Sequence, residues 1–255
     1  MTSKILQKTI AVNKPNSFDV IELQKLLNET RKKDWRDSGV RTKTSFSPSQ
    51  VGNYYGACSR FWYYSFQGAF FEEKFRSQSA AAMNNGTDSH HRIQKTYTHA
   101  NIDAIIEQEV LNADPPIRGF ADAIVTVNGK RAVGDIKTIN ANGYSYVENS
   151  MKPKPAHLTQ VLMYMRVLGL KHGFMHYENK DTHDELFIPI LLTPRLEEYL
   201  DYLWEWLRMV KASDELPKRC FTQASPNCKY CPLSKACWKD EEGTLDIPKL
   251  KAVTP

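Results

Sequence analysis

The stretch Gly119-Phe120-Ala121-Asp122-Ala123-Ile124-Val125-Thr126-Val127-Asn128-Gly129-Lys130-Arg131-Ala132-Val133-Gly134-Asp135-Ile136-Lys137 decides how this chain is read. Asn128-Gly129 stands between two β-rich runs, and that dipeptide is the strongest short-range signal for a two-residue hairpin turn. With only those residues in the turn, Val127 faces Lys130, and counting back sets Asp122 opposite Asp135. Cross-strand partners have Cβ atoms about 4.5–5.5 Å apart, where like charges oppose pairing. A bound divalent cation removes that repulsion. Side chains alternate along a strand, so Lys137 shares the face of Asp135. Two acids and a lysine on one hairpin surface form a layout for metal-assisted attack on a phosphate.

Outward from the hairpin, the pattern predicts strands at about 104–111, 117–127 and 130–139, then at about 172–178 and 184–191. Val20, Ile21, Leu23, Leu26 and Leu27 suit an amphipathic helix from Phe18 to about Trp35, after residues 1–17 that look irregular. A basic stretch, Arg31 to Lys43, reads as a solvated linker. Ser47-Pro48 starts a helix that runs through Tyr54 and Tyr55 towards Cys58, followed by a turn-rich aromatic segment, Arg60-Phe61-Trp62-Tyr63-Tyr64. A long helix from about Ser77 to Thr98 carries Gly86-Thr87-Asp88-Ser89-His90. A loop leads to a helix from about Lys154 to Leu168, with Pro155 in its first turn and Gly169 as its C-terminal cap. The stripe Leu196, Leu200, Leu203, Leu207 and Val210 marks a last core helix. The order is that of a mixed α/β fold.

The chain has 255 residues, 25% of them charged and 41% hydrophobic, an ordinary globular balance. A net charge of +5 (34 basic against 29 acidic residues) is compatible with a nucleic-acid partner without requiring one. No apolar run approaches the roughly 18 residues of a membrane span, and the N-terminus lacks a secretory core, so an intracellular, cytoplasmic location is expected with no membrane partner. Of five cysteines, four fall between Cys220 and Cys237. In a reducing compartment such clustering points to metal or catalysis rather than disulfides.

The order of motifs resembles the PD-(D/E)XK nuclease superfamily, and within it the RecB-like branch. Gly86-Thr87-Asp88-Ser89-His90 matches the helical glycine-to-histidine motif and Gly119-Phe120-Ala121-Asp122 the strand motif ending in aspartate. Gly134-Asp135-Ile136-Lys137-Thr138 matches the acid-x-lysine signature, and Gln160-Val161-Leu162-Met163-Tyr164 the helical glutamine–tyrosine motif. The fifth match is Cys228-Lys229-Tyr230-Cys231-Pro232 followed by Cys237, with the distant Cys58. The resemblance implies a restriction-endonuclease-like mixed β-sheet core flanked by helices, at residues 45–215. An N-terminal helix and basic linker (1–44) would precede it, and a cysteine segment closing onto Cys58 (216–255) would follow.

By the same resemblance, Asp122 and Asp135 would hold Mg²⁺ or Mn²⁺, with the Ile136 carbonyl and His90 as further ligands. Lys137 would orient or help deprotonate the attacking water. His91 rivals His90 as a position, and the glycine spacing favours His90. Gln160 and Tyr164, four apart on one helix, are neighbours; they read equally as a surface pair or as contacts to DNA or to Lys137. Glu107 or Glu109 would line the same cleft, and the sequence does not choose. Cys58, Cys228, Cys231 and Cys237 resemble the four-thiolate set of a [4Fe–4S] cluster, leaving Cys220 over. The rival is a structural zinc ion held by Cys220, Cys228, Cys231 and Cys237. Arg31–Lys43 and Arg60–Tyr64 would track a strand by charge and stacking, although Phe61 and Tyr64 read better as core.

The implied activity is metal-dependent DNA hydrolysis by an exonuclease acting on single-stranded DNA or DNA ends. Repair, recombination, CRISPR adaptation and phage DNA metabolism are all compatible settings. Alternatives are a structure- or sequence-specific endonuclease and a non-catalytic DNA-binding subunit. No GxxxxGK[ST] phosphate loop is present, so any ATP-driven helicase or recombination motor would be a separate partner.

Overall fold

In the computed structural model, residues 19–34, 39–72, 77–100 and 102–254 are described. The reading of residues 1–17 as irregular, and part of the basic stretch within 31–43, lie outside them. The hairpin forms as its sequence requires. Asn128 (φ 51°) and Gly129 (φ 73°) take the left-handed conformations of a primed turn, whose twist matches that of the flanking strands. Strand β4 (Ile117–Val127) then pairs with β5 (Lys130–Ile139) from Val127↔Lys130 to Ala123↔Gly134.

Three more strands complete a sheet of order β3-β4-β5-β6-β7: β3 (Asp103–Asn112), β6 (His172–Asn179) and β7 (Glu185–Leu191). Only β5 and β6 run parallel, and their crossover carries two helices, α5 (Ala141–Ser150) and α6 (Pro155–Leu168). Helix α5 lies where a loop was expected. Asn140 caps it by accepting the Gly143 N–H at 2.8 Å, and its packed face consists of little more than Tyr144 and Val147. Helix α6 is buried nearly all round, from Leu158 to Met165. It sits so close to β6 that a Cβ on Gly173 would come within 2.7 Å of the Met165 sulfur. Thr159 and Gln160 are buried along with its apolar residues, so over that span the helix has no exposed polar face.

The expected helix from Ser47 to Cys58 is broken. A short α2 (Pro48–Val51) gives way at Gly52-Asn53 to a 3₁₀ turn (Tyr54–Ala57), whose first N–H is taken by the Asn53 side chain at 2.9 Å. The chain doubles back so tightly that a Cβ on Gly56 would overlap the Gln50 carbonyl oxygen. The aromatic segment that follows is itself a helix, α3 (Ser59–Phe66), with Phe61 and Trp62 in the core and Tyr64 packed at its margin. The remaining long helices are α1 (Val20–Asp34), α4 (Ser77–His99) and α7 (Pro194–Lys211). Strands β1 (Gly39–Val40) and β2 (Phe70–Phe71) pair separately. Among the described residues, no helix is long and apolar enough to cross a membrane.

Arg60 corrects the expectation that its segment tracks a nucleic-acid strand. Its side chain is fully buried and donates to the carbonyls of Pro217 (2.9 Å) and Glu241 (2.6 Å), and more weakly to that of Cys237 (3.4 Å). With Leu250 N–H donating to Ala57 O (2.9 Å) and Trp206 Nε1 to Pro248 O (2.7 Å), it fastens the C-terminal segment to α3 and α7. Ile247, Leu250 and Val253 enter the main core. Two short helices, α8 (Pro226–Tyr230) and α9 (Ser234–Lys239), carry Cys228 and Cys237, and Cys231 follows directly on α8.

Arg60→Met should therefore cost about 3 kcal/mol or more in urea unfolding, because it strands several buried carbonyls. It should also open the segment after residue 215 to limited proteolysis. Arg60→Lys should not restore stability, since a single ammonium cannot replace the guanidinium fork.

Candidate active site

The β4–β5 ladder stops one step short of Asp122 and Asp135. The register is the one the turn dictates, yet these two residues do not pair. The Asp122 carboxylate instead accepts the Ile136 N–H at 2.7 Å through Oδ2. Asp135 is fully buried; its Oδ1 has no hydrogen-bond partner and its Oδ2 meets the Lys137 ammonium at 2.6 Å. Burial pushes the Asp135 carboxyl up to about 6, and Lys137 opposes that shift while Asp122 adds to it. Burial also raises Asp122, against Lys137 and the Ile136 amide. Burial works against the Lys137 ammonium, but the two carboxylates outweigh it and hold its pKa above the ordinary value.

On the other side of β4, the β3–β4 ladder is interrupted at the same level. Ile106↔Ala123 and Gln108↔Ala121 pair, but Glu107 and Asp122 between them do not. Glu107 has φ 53°, a conformation that costs a residue with a side chain about 1 kcal/mol. Three acids thus lie in a row across three strands, and the ladder is open on both sides of the middle one. Glu109, by contrast, pairs in the ladder with Phe120 and holds Arg118 Nε at 2.9 Å on the surface. The structure selects Glu107 as the acid that lines the cleft.

Helix α4 supplies the next wall. His90 Nδ1 lies 3.7 Å from Asp122 Oδ2, with the Ile136 backbone close to the ring. Burial and the Lys137 charge lower its pKa, which favours neutral imidazole. His91 lines the cavity too, but His90 is the histidine set against Asp122. One turn on, Gln94 Nε2 donates to Glu107 Oε1 (2.5 Å) and to the Asp122 main-chain carbonyl (3.2 Å). From α6, Gln160 Nε2 donates to the Tyr164 hydroxyl at 3.2 Å. Both are buried rather than a surface pair, and both line the same cleft of about 670 Å³.

Among the described residues, no three His, Cys, Asp or Glu side chains close on one point. The donor set nevertheless fits a hard divalent ion. It offers a buried carboxylate oxygen without a partner, a second carboxylate, and the Ile136 backbone with His90 against it.

The cysteines form a second constellation. Cys58, Cys228, Cys231 and Cys237 line one small cavity of about 30 Å³ with apolar neighbours that include Phe61 and Leu233. Cys220 does not line it: its sulfur lies 3.3 Å from Ser59 Oγ, in contact with the Cys58 thiol. None of the five is in a disulfide.

Sequence reasoning missed Gln94 and gave no role to Arg118 or Phe120. Gln94 carried a signal, standing four residues after His90 on the same helix face. Glu107 was named with Glu109, and what sets it apart, a positive φ, has no sequence mark.

No family model matches the chain, and no curated protein sequence matches it. Solved structures do. LHK-Exo in complex with dAMP has a TM-score of 0.51 at 16% identity, covering 66% of this chain and 88% of that one. The alkaline exonuclease LHK-Exo from Laribacter hongkongensis gives 0.46 and 14% over the same shares, 66% and 88%. SSO0001 gives 0.49 at 20%, covering 84% and 96%. The match at 0.51 carries the fold: a nuclease-like mixed sheet flanked by helices, as the motif resemblance implied.

Asp135 yields a pH test. Its folded pKa of about 6 exceeds the ordinary 3.8, so the folded state takes up a proton between those values and gains stability as pH falls. Asp135→Asn cannot titrate. In chelator, the melting temperature of the parent relative to that of Asp135→Asn should rise by a few degrees on going from about pH 7.5 to about pH 5. A flat or opposite trend would show that the ion pair with Lys137 keeps Asp135 charged throughout.

Proposed function

We propose that this protein is a divalent-metal-dependent deoxyribonuclease of the RecB-like kind, acting as an exonuclease on single-stranded DNA or DNA ends. The observation that carries the reading is the buried Asp135, with one oxygen unpartnered and the other on Lys137, beside Asp122 at an open polar cleft. The neighbour of matching fold, LHK-Exo, holds dAMP, which supports a nucleotide in a cleft of this kind. The net charge of +5 is compatible with a polyanion.

When bound, Mg²⁺ or Mn²⁺ at Asp122, Asp135 and the Ile136 carbonyl would neutralise phosphate charge and acidify a water. Neutral His90 adds a nitrogen donor, which suits manganese better than magnesium. Lys137, 2.6 Å from Asp135 Oδ2, stands where it can position the attacking water or help to deprotonate it. It also offsets charge on the phosphate. Gln160 and Tyr164 present hydrogen-bonding groups to the bound strand from the opposite wall. A non-catalytic DNA-binding role would leave the cost of burying Asp135 uncompensated. An endonuclease is distinguished by substrate form.

End-labelled linear and circular single strands, with Mg²⁺ or Mn²⁺ and with excess chelator, provide the test. Degradation of linear DNA alone selects the exonuclease, and cutting of circles selects the endonuclease. Asp135→Ala should abolish cleavage with the fold intact. Lys137→Ala should lose nearly all activity yet keep a metal-induced rise in melting temperature. Full activity in Asp135→Ala or in chelator would remove the catalytic assignment.

We read the second cavity as the seat of a [4Fe–4S] cluster on Cys58, Cys228, Cys231 and Cys237. Those four thiols line it, while Cys220, which a local zinc site would need, lies outside against Ser59. Anaerobically purified protein should contain iron and labile sulfide. Cys58→Ala should lose both, and Cys220→Ala neither. Stoichiometric zinc without sulfide would establish the zinc site instead.

A further inference from the structure

Phe120 is out of place on the wall of this cleft. It is 45% exposed, yet it lines a cavity whose other walls are largely hydroxyl, imidazole, amide and carboxylate groups. Among the described residues no aromatic ring packs on it. Core demand does not account for it, since Asp122 and Ile124 further along the same face are buried whereas Phe120 itself stays exposed. Alternation puts Arg118, Phe120 and Asp122 on one side of the strand, successive members about 7 Å apart. Arg118 Nε is occupied by Glu109, which leaves its terminal nitrogens without a protein partner among the described residues.

We propose that Phe120 and Arg118 form the element that selects the substrate strand, a conclusion that rests on the nuclease reading. The Phe120 ring stacks on the base of the nucleotide next to the one processed, and Arg118 holds a flanking phosphate. Bases inside a duplex have both faces covered, whereas an unpaired base offers one to a protein ring. Stacking is tolerant of sequence because every base has a π-face. The pair therefore selects single-stranded or frayed ends without selecting sequence, and Arg118 offsets the negative charge that three nearby acids would otherwise present to a polyanion.

The test is binding, separated from turnover. A single-stranded oligonucleotide with 2-aminopurine at the penultimate position of each end is titrated into Asp135→Asn protein in a divalent-ion buffer. Its emission should be quenched, and adding Phe120→Leu should weaken binding about tenfold and relieve the quench, while Phe120→Trp retains both. With an abasic nucleotide in place of 2-aminopurine, the Leu and Phe proteins should bind alike. Arg118→Gln should weaken binding to both probes equally and lower the salt dependence. No quench in the parent, equal affinity in Phe120→Leu, or the same loss on the abasic strand would overturn the proposal. Wild-type protein assayed in parallel separates the two readings. Binding as described without hydrolysis removes the nuclease assignment and leaves the stacking element. Hydrolysis with equal kcat/KM in Phe120→Leu on single-stranded and blunt ends removes the stacking element and leaves the nuclease.

Discussion

The carboxylate of Asp135, buried with a single ammonium for company, is the constraint around which the rest of this sheet is arranged. At about 4 Å and an effective dielectric near 20, an ion pair gains about 4 kcal/mol, of the same order as the cost of desolvating one of its members. Lys137 therefore compensates Asp135 only in part, and the raised carboxyl pKa is the residue of that imbalance. Asp122 and Glu107, at the same level on the next two strands, would compound it. The fold answers by leaving both ladders unpaired there. The Ile136 amide turns to Asp122, and Gln94 bridges Glu107 to the Asp122 main chain. Stability is given up locally where three carboxylates are kept beside one cleft.

Both helices that flank the site act as supports for these acids. On α4, His90 and Gln94 share a face, so one helical register sets the imidazole against Asp122 and the amide against Glu107. On α6, the complete burial that places Gln160 and Tyr164 also removes their freedom to move. Tyr164 lies against Gly119, where a Cβ would approach its ring to 3.2 Å and Pro48 to 3.0 Å. The glycine at the head of the strand motif is thus a packing requirement: it lets α2 and α6 converge on β4 and form the cleft.

Much of this was legible in the sequence, for reasons that can be named. Asn128-Gly129 fixes a turn, the turn fixes a register, and strand alternation then puts Asp122, Asp135 and Lys137 together. The helices with clear apolar periodicity and proline or glycine at their ends fall where expected. What escaped reading depended on tertiary contacts. Helix α5 rests on Tyr144 and Val147 among polar residues, too few to show a period. The break after Val51 reflects a backbone collision at Gly56, and a glycine in sequence does not say what it touches. Arg60 was grouped with a segment that would track a strand, because charge beside aromatic residues suggests it. Its partners are backbone carbonyls more than 150 residues away in sequence, which no local pattern encodes.

The two constellations are mechanically joined, which bears on why a cysteine-lined cavity accompanies this cleft. Phe46 donates its N–H to Pro116 O at 2.7 Å and accepts from Arg118 N–H at 3.0 Å, forming a parallel bridge to Ile117. The same segment continues through Pro48, which packs at Gly119, and through the 3₁₀ turn to Cys58. One strap of about a dozen residues therefore ends at the start of β4 in one direction and at the cysteine cavity in the other. Phe46 and Trp62 meet edge to face at 4.8 Å, so α3 clamps the strap at its β4 end. One short segment thus supplies both Cys58 at the cysteine cavity and the backbone partners that hold the start of β4, where Arg118 and Phe120 stand.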